Sequence, residues 1–223
     1  MLTTVHTFRK GEIIMTEVTL GKSRAGESSI SSTRYLTVTG VLSAAAFVLQ
    51  LIEIPVPFMP TFIKFDFSDL PALIGSFAMG PACGVMVELI KNVLHALIST
   101  HSFGVGEMSN FILGAVFAAV AGFIYKFNRT KRGAVIASLA GAFAMAVTAY
   151  PSNVLFVYPV YYQFMPKDVI LQAYQAIVPA MKSVEQSILC FNVPFTFVKG
   201  LLNALVTFVI YKKISPVLKG FKD

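Results

Sequence analysis

Four polar residues near the end of the chain, Asn192, Thr196, Lys199 and Asn203, recur at i, i+4, i+7 and i+11 inside an otherwise apolar run. That spacing puts all four on one face of a helix. An ammonium that only donates, amides that donate and accept, and a hydroxyl together suit a neutral ligand with several polar groups. Hydrogen bonding between helices is the competing use of the same face. A second set, Glu88, Lys91, Asn92 and His95, occupies two helical turns, and Glu88 and Lys91 at i, i+3 can neutralise each other. A proton relay through Glu88, Lys91 and His95 is the alternative, because ionisable groups at membrane depth also mark such paths. Glu107 and Asn110 open a further apolar segment, where an acidic residue favours the positive end of the helix dipole. Asn153 stands beside Pro151, whose missing N–H loosens a helix, so its amide can serve a ligand or a freed carbonyl.

Other chemistry is not supported. Gly21-Lys22-Ser23 resembles the end of a phosphate-binding loop, but Thr16 stands where the first glycine belongs and no apolar strand precedes it. No metal-ligand spacing and no Ser-His-Asp or Cys-His grouping is visible, since His6 lies in a polar tail and His95 and His101 have no partner fixed by sequence. The reading is a protein that binds rather than catalyses, with no cofactor and no metal.

The elements that must carry these residues are membrane helices. Of 223 residues, 56% are apolar and only 13% charged, against about a quarter charged in soluble domains; the mean hydropathy is +0.72. The net charge of +7 does not indicate nucleic acid, because the basic residues fall between apolar segments instead of on one water-facing surface. Three segments are long enough to cross a bilayer, Tyr35 to Ile54, Met108 to Tyr125 and Phe191 to Tyr211, and a fourth runs from Ala134 to about Tyr161 with Pro151 and Pro159 loosening its later half. The stretch Phe67 to Ile98 is broken at Gly80-Pro81.

Charge decides how often that stretch crosses. Lys and Arg mark cytoplasmic loops, and they gather in the N-terminal tail, in the loop Lys126, Arg129, Lys131, Arg132, and in the C-terminal tail. These clusters share one side only if Phe67 to Ile98 is two short helices turning at Gly80-Pro81. The expectation is therefore an all-α integral membrane protein of six transmembrane helices with both termini cytoplasmic. Residues 1–34 form a tail with no cleavable signal in view, 35–214 the bundle and 215–223 a second tail. The outward segments are Pro55 to Asp66, Ser99 to Gly106 and Tyr162 to Cys190, the last with an amphipathic spacing that suits a helix lying on the outer surface. Cys83 and Cys190 then lie near opposite faces and stay unpaired. Gly40 and Ala44 on the first helix form a small-xxx-small face, which lets another helix approach closely.

From about Tyr35 to Leu218 the chain resembles the riboflavin-specific substrate-binding (S) components of the energy-coupling factor vitamin transporters of bacteria. The resemblance rests on Phe65-Asp66-Phe67-Ser68-Asp69-Leu70-Pro71-Ala72-Leu73, on Gly80-Pro81, on Leu89-Ile90-Lys91-Asn92, on Asn110-Phe111, and on Pro194-Phe195 followed by Lys199-Gly200. It implies a six-helix protein of the bacterial cell membrane that captures riboflavin from outside and works with a transmembrane coupling protein and two ATPases. By resemblance, Asn153 and Lys199 hold the ligand, the loop at Lys64, Phe65 and Asp66 closes over its ring, Asn110 joins them, and Gly40 and Ala44 dock on the coupling protein. Thr196 departs from the pattern, which commonly has Asn three residues before the Lys; its shorter hydroxyl bears on the choice between riboflavin and its phosphorylated form. A flat apolar ring with a polar edge and a hydroxylated chain suits aromatic walls and a few placed amides, with Phe156, Tyr158, Tyr161 and Tyr162 available for the walls. The competing functions are a proton-coupled secondary transporter of a small polar solute and an S component for another vitamin.

Overall fold

The structure, a computed structural model, describes residues 8–9, 12–13, 32–98 and 104–219, with the backbone alone for 8–9, 12–13 and 211–219. Gly21-Lys22-Ser23, rejected from sequence as a phosphate-binding loop, lies outside the described residues, as do His6, His101 and most of the N-terminal tail. Phe8–Arg9 (β1) and Glu12–Ile13 (β2) pair antiparallel, and they belong to a unit separate from the helical body that begins at Ser32.

The body opens with α1, Ser32–Gln50. The expected span to Ile54 stops short at Gln50, and Pro55 and Pro57 hold Ile54 and Val56 out of the helical conformation. Ile54–Pro55 (β3) instead pairs antiparallel with Lys64–Phe65 (β4), in register Ile54 with Phe65 and Pro55 with Lys64. This hairpin was not expected from sequence.

Asp69–Met79 (α2) and Pro81–Ile98 (α3) divide at Gly80, whose φ of 103° suits glycine. The two helices run antiparallel. Asp69 at the start of α2 reaches Lys91 late in α3, and Gly75 faces Cys83 near the turn. The break predicted at Gly80-Pro81 is therefore a true reversal.

Val105–Phe127 (α4) leads to Lys131–Ser152 (α5), capped by Thr130, whose hydroxyl accepts from the Gly133 N–H at 3.0 Å. Past Pro151 the chain widens into a π-helical turn, Asn153–Val157, before Tyr158–Tyr161 (α6). The outer connection holds Lys167–Gln175 (α7), which buries Ile170 and Tyr174, and Val184–Ser187 (α8). A second π-helical turn, Ile188–Asn192, precedes Val193–Lys219 (α9), which runs on into residues assigned by sequence to the C-terminal tail.

Three apolar clusters hold the body together. One joins α2, α4, α5 and α9 through Leu73, Phe117, Met145 and Ala204; a second joins α1, α2, α3 and α4 through Ala46, Ile74, Val87 and Ala118. The third, around Tyr158, Ile170, Tyr174 and Ile188, ties the outer connection to the helix ends. Among the described residues, five helical segments are long and apolar enough to cross a membrane, and α2 is apolar but shorter. Cys83 and Cys190 are free thiols, one buried and one exposed.

Candidate functional site

Lys199 is buried on α9 and donates to Asp66 Oδ2 at 3.0 Å and to Asn110 Oδ1 at 3.1 Å. Three segments distant in sequence thus meet on one ammonium: the end of the α1–α2 connection, the first turns of α4, and α9. Asp66 is fixed from its own side by the Ser68 N–H at 2.8 Å and by the Ser68 hydroxyl. Asn203, one turn along α9, donates to the Lys199 carbonyl at 3.1 Å and to the Asp66 carbonyl at 3.4 Å. Burial by itself would raise the Asp66 carboxyl, but the Lys199 and Lys91 ammoniums outweigh it and hold the group below the ordinary aspartate range.

The network continues inward. Asp69 Oδ2 lies 3.5 Å from Lys199, an ion-pair separation, while its Oδ1 accepts from Lys91 at 2.7 Å. Lys91 also donates to the Ser68 hydroxyl at 2.7 Å and pairs with Glu88 Oε2 at 2.8 Å. The predicted Glu88–Lys91 pair is present, and it has a second carboxylate that sequence reasoning missed. Gly114 makes room for Glu88, since a Cβ there would strike the Glu88 carboxylate. Asn92 accepts from Gln50 of α1 at 3.0 Å and donates to the Glu88 carbonyl at 2.8 Å. His95 Nδ1 lies 2.8 Å from Glu107 Oε1, joining the end of α3 to the start of α4.

A second constellation is aromatic. The Tyr158 and Tyr174 hydroxyls lie 2.5 Å apart, Tyr174 donates to Asn192 Oδ1 at 2.8 Å, and Asn192 Nδ2 donates to the Tyr158 hydroxyl at 3.3 Å. Burial pushes the Tyr174 phenol up, so it stays a donor. Beside this triad Phe62, Tyr158, Tyr161, Met165 and Ile170 line a small apolar pocket.

The sequence-predicted residues divide accordingly. Asp66, Asn110 and Lys199 come together. Thr196 is buried one turn before Lys199. Phe65 is buried edge-on against Phe67, with ring centroids 4.8 Å apart. Lys64 turns outward and pairs with Glu53 on the hairpin. Asn153 is buried in the first π-helical turn, where Nδ2 donates at 2.7 Å to the Ala149 carbonyl, which its own backbone N–H also meets. Asn192, the last residue of the second π-helical turn, bonds to Tyr174 and Tyr158. Gly40 and Ala44 lie on the exposed side of α1, opposite buried Thr39, Leu42, Ser43 and Ala46, and a Cβ at Gly40 would meet nothing within 4 Å.

A bundle of apolar helices that keeps a charged, enclosed network and an aromatic pocket defines a multi-pass membrane binding protein. The chain belongs to the family of substrate-specific components of ECF transporters, whose family model matches residues 34–211. It is 32% identical over 183 residues to the riboflavin transporter FmnP of Bacillus subtilis (strain 168), covering 81% of this chain and 92% of that protein. It is 32% identical over 191 residues to the riboflavin transporter RibU of Staphylococcus aureus (strain TCH60), covering 83% and 92%. A solved structure described as the S component of a bacterial ECF transporter superposes with a TM-score of 0.68 at 29% identity, covering 84% of this chain and 99% of that one. This is a family of transporter components and not of enzymes.

Proposed function

We propose that this chain is the riboflavin-binding S component of an ECF-type transporter, taking riboflavin from outside the bacterial cell membrane for ATP-driven uptake. The observation that carries the reading is the convergence of Asp66, Asn110 and Lys199, three positions marked by the family motifs, at the end of the bundle that relatives named as riboflavin transporters share over nearly their whole length. In this reading riboflavin lies among Phe65, Asp66, Asn110, Asn153, Thr196 and Lys199, with Lys64 on the closing hairpin. Riboflavin is the transported ligand and not a cofactor.

The reading places six crossings across residues 35–214, counting α2 as the short one, with residues 1–34 and 215–223 in the cytoplasm. The α2–α3 reversal and the gathering of basic residues in three segments support that topology. Binding alone equilibrates a solute and cannot concentrate it, so the chain works with a coupling protein and two ATPases. The exposed small-residue face at Gly40 and Ala44 is where a coupling helix fits.

Reconstituted alone in liposomes, the chain should retain riboflavin only in proportion to its own sites; with coupling protein and ATPases, ATP should drive net uptake. Gly40→Leu should abolish that uptake and leave riboflavin affinity unchanged. Uphill uptake by the lone chain under a proton gradient would contradict the reading.

A further inference from the structure

The connection between α1 and α2 carries four phenylalanines, and two of them, Phe58 and Phe62, have opposite fates. Phe62 turns into the body, its ring 5.8 Å from Tyr174 and 6.4 Å from Tyr161. Phe58, at the tip between β3 and β4, is 84% exposed and holds a left-handed backbone with φ of 61°. A bulky side chain adopts that region only where something compensates, and glycine would make the same turn without strain. Pro57 and Pro60 on either side restrict the tip, so the ring is held outside.

The surroundings indicate what meets it. The exposed side of α1 is apolar at Leu36, Val41 and Val48, and that surface continues through Leu51 and Ile52, past the end of the helix, to Ile54 on β3. Since α1 is long and apolar enough to cross a membrane, lipid would meet this stripe in the lone chain, where no coupling helix occupies the face at Gly40 and Ala44. Residues 54–63 contain no ionisable group, and Glu53, the one charge between Ile52 and Ile54, is paired with Lys64 across the hairpin.

We propose that the β3–β4 hairpin is a membrane-interface anchor, with the Phe58 ring inserted at the boundary of headgroups and acyl chains as a continuation of the lipid contact of α1. Contiguous exposed apolar surface running on from a lipid-covered helix is what a bilayer interface takes up. The hairpin leads directly into Phe65 and Asp66, so the anchor fixes to the bilayer the segment that pairs with Lys199. Any movement of that segment is then movement against lipid.

The chain contains no tryptophan, so Phe58→Trp supplies a single reporter. In liposomes without ligand, its emission should be shifted to the blue of free N-acetyl-tryptophanamide. It should lose most of its intensity when lipids brominated in the upper acyl chain are used, and respond weakly to aqueous iodide. An unchanged melting temperature verifies the fold; if it falls, Met59→Trp reads the same tip. Red emission quenched by iodide and not by brominated lipid would place the tip in water. Protection from both quenchers would mean that protein covers it, either a second copy or a partner. Either result overturns the proposal.

Discussion

Lys91 and Lys199 are both buried ammonium groups in an apolar bundle, and their surroundings assign them different work. Lys91 meets two carboxylates and a hydroxyl, from Asp69, Glu88 and Ser68, all within α2, α3 and the turn before α2. Its charge is compensated by one helical hairpin. Lys199 meets one carboxylate at hydrogen-bond distance and one neutral amide, each from a different segment, and sits below the α1–α2 connection. A lysine that closes a hairpin is an element of structure, whereas one that gathers a loop and two helices is placed to respond when the loop or a ligand changes.

Removing each lysine tests that contrast. Lys91→Ala strands Asp69 and Glu88 in the interior, and breaking a buried ion pair in this way costs about 3–5 kcal/mol of stability. A large fall in melting temperature in detergent is expected, with riboflavin affinity retained by whatever remains folded. Lys199→Ala should cost less stability, because Asp66 keeps its bonds from Ser68. Its main effect should be on riboflavin binding, weakened by about 1–3 kcal/mol as for other stranded polar partners, and read by titration. Lys64→Ala gives the smallest change: its pair with Glu53 is half exposed, and such pairs contribute about 0–1 kcal/mol, so stability should barely move. If Lys64→Ala proves as damaging as Lys199→Ala, the hairpin does more than close the loop.

Much of this contrast was legible in the sequence and part was not. The reversal at Gly80-Pro81 could be read because proline stops a helix and the basic clusters demand an even number of crossings. Glu88 with Lys91 could be read because i, i+3 neighbours meet on a helix surface. Partners across the bundle leave no such local mark, so Asp69 with Lys91 and His95 with Glu107 were missed, although Asp69 stood inside a recognised motif. The partners of Asn192, Tyr158 and Tyr174, were missed because they come from other segments of the chain. The hairpin of β3 and β4 was missed because each strand is two residues long, too short for any alternation to show.

The most direct test is a riboflavin titration of the purified chain beside Lys199→Ala and Lys91→Ala, following flavin fluorescence and melting temperature in the same samples. The account predicts saturable quenching by the native chain, weaker quenching with a modest stability loss for Lys199→Ala, and a large stability loss with affinity retained for Lys91→Ala. Absence of saturable quenching by the native chain while another vitamin binds tightly would contradict it, as would a well-folded Lys199→Ala that binds riboflavin with undiminished affinity.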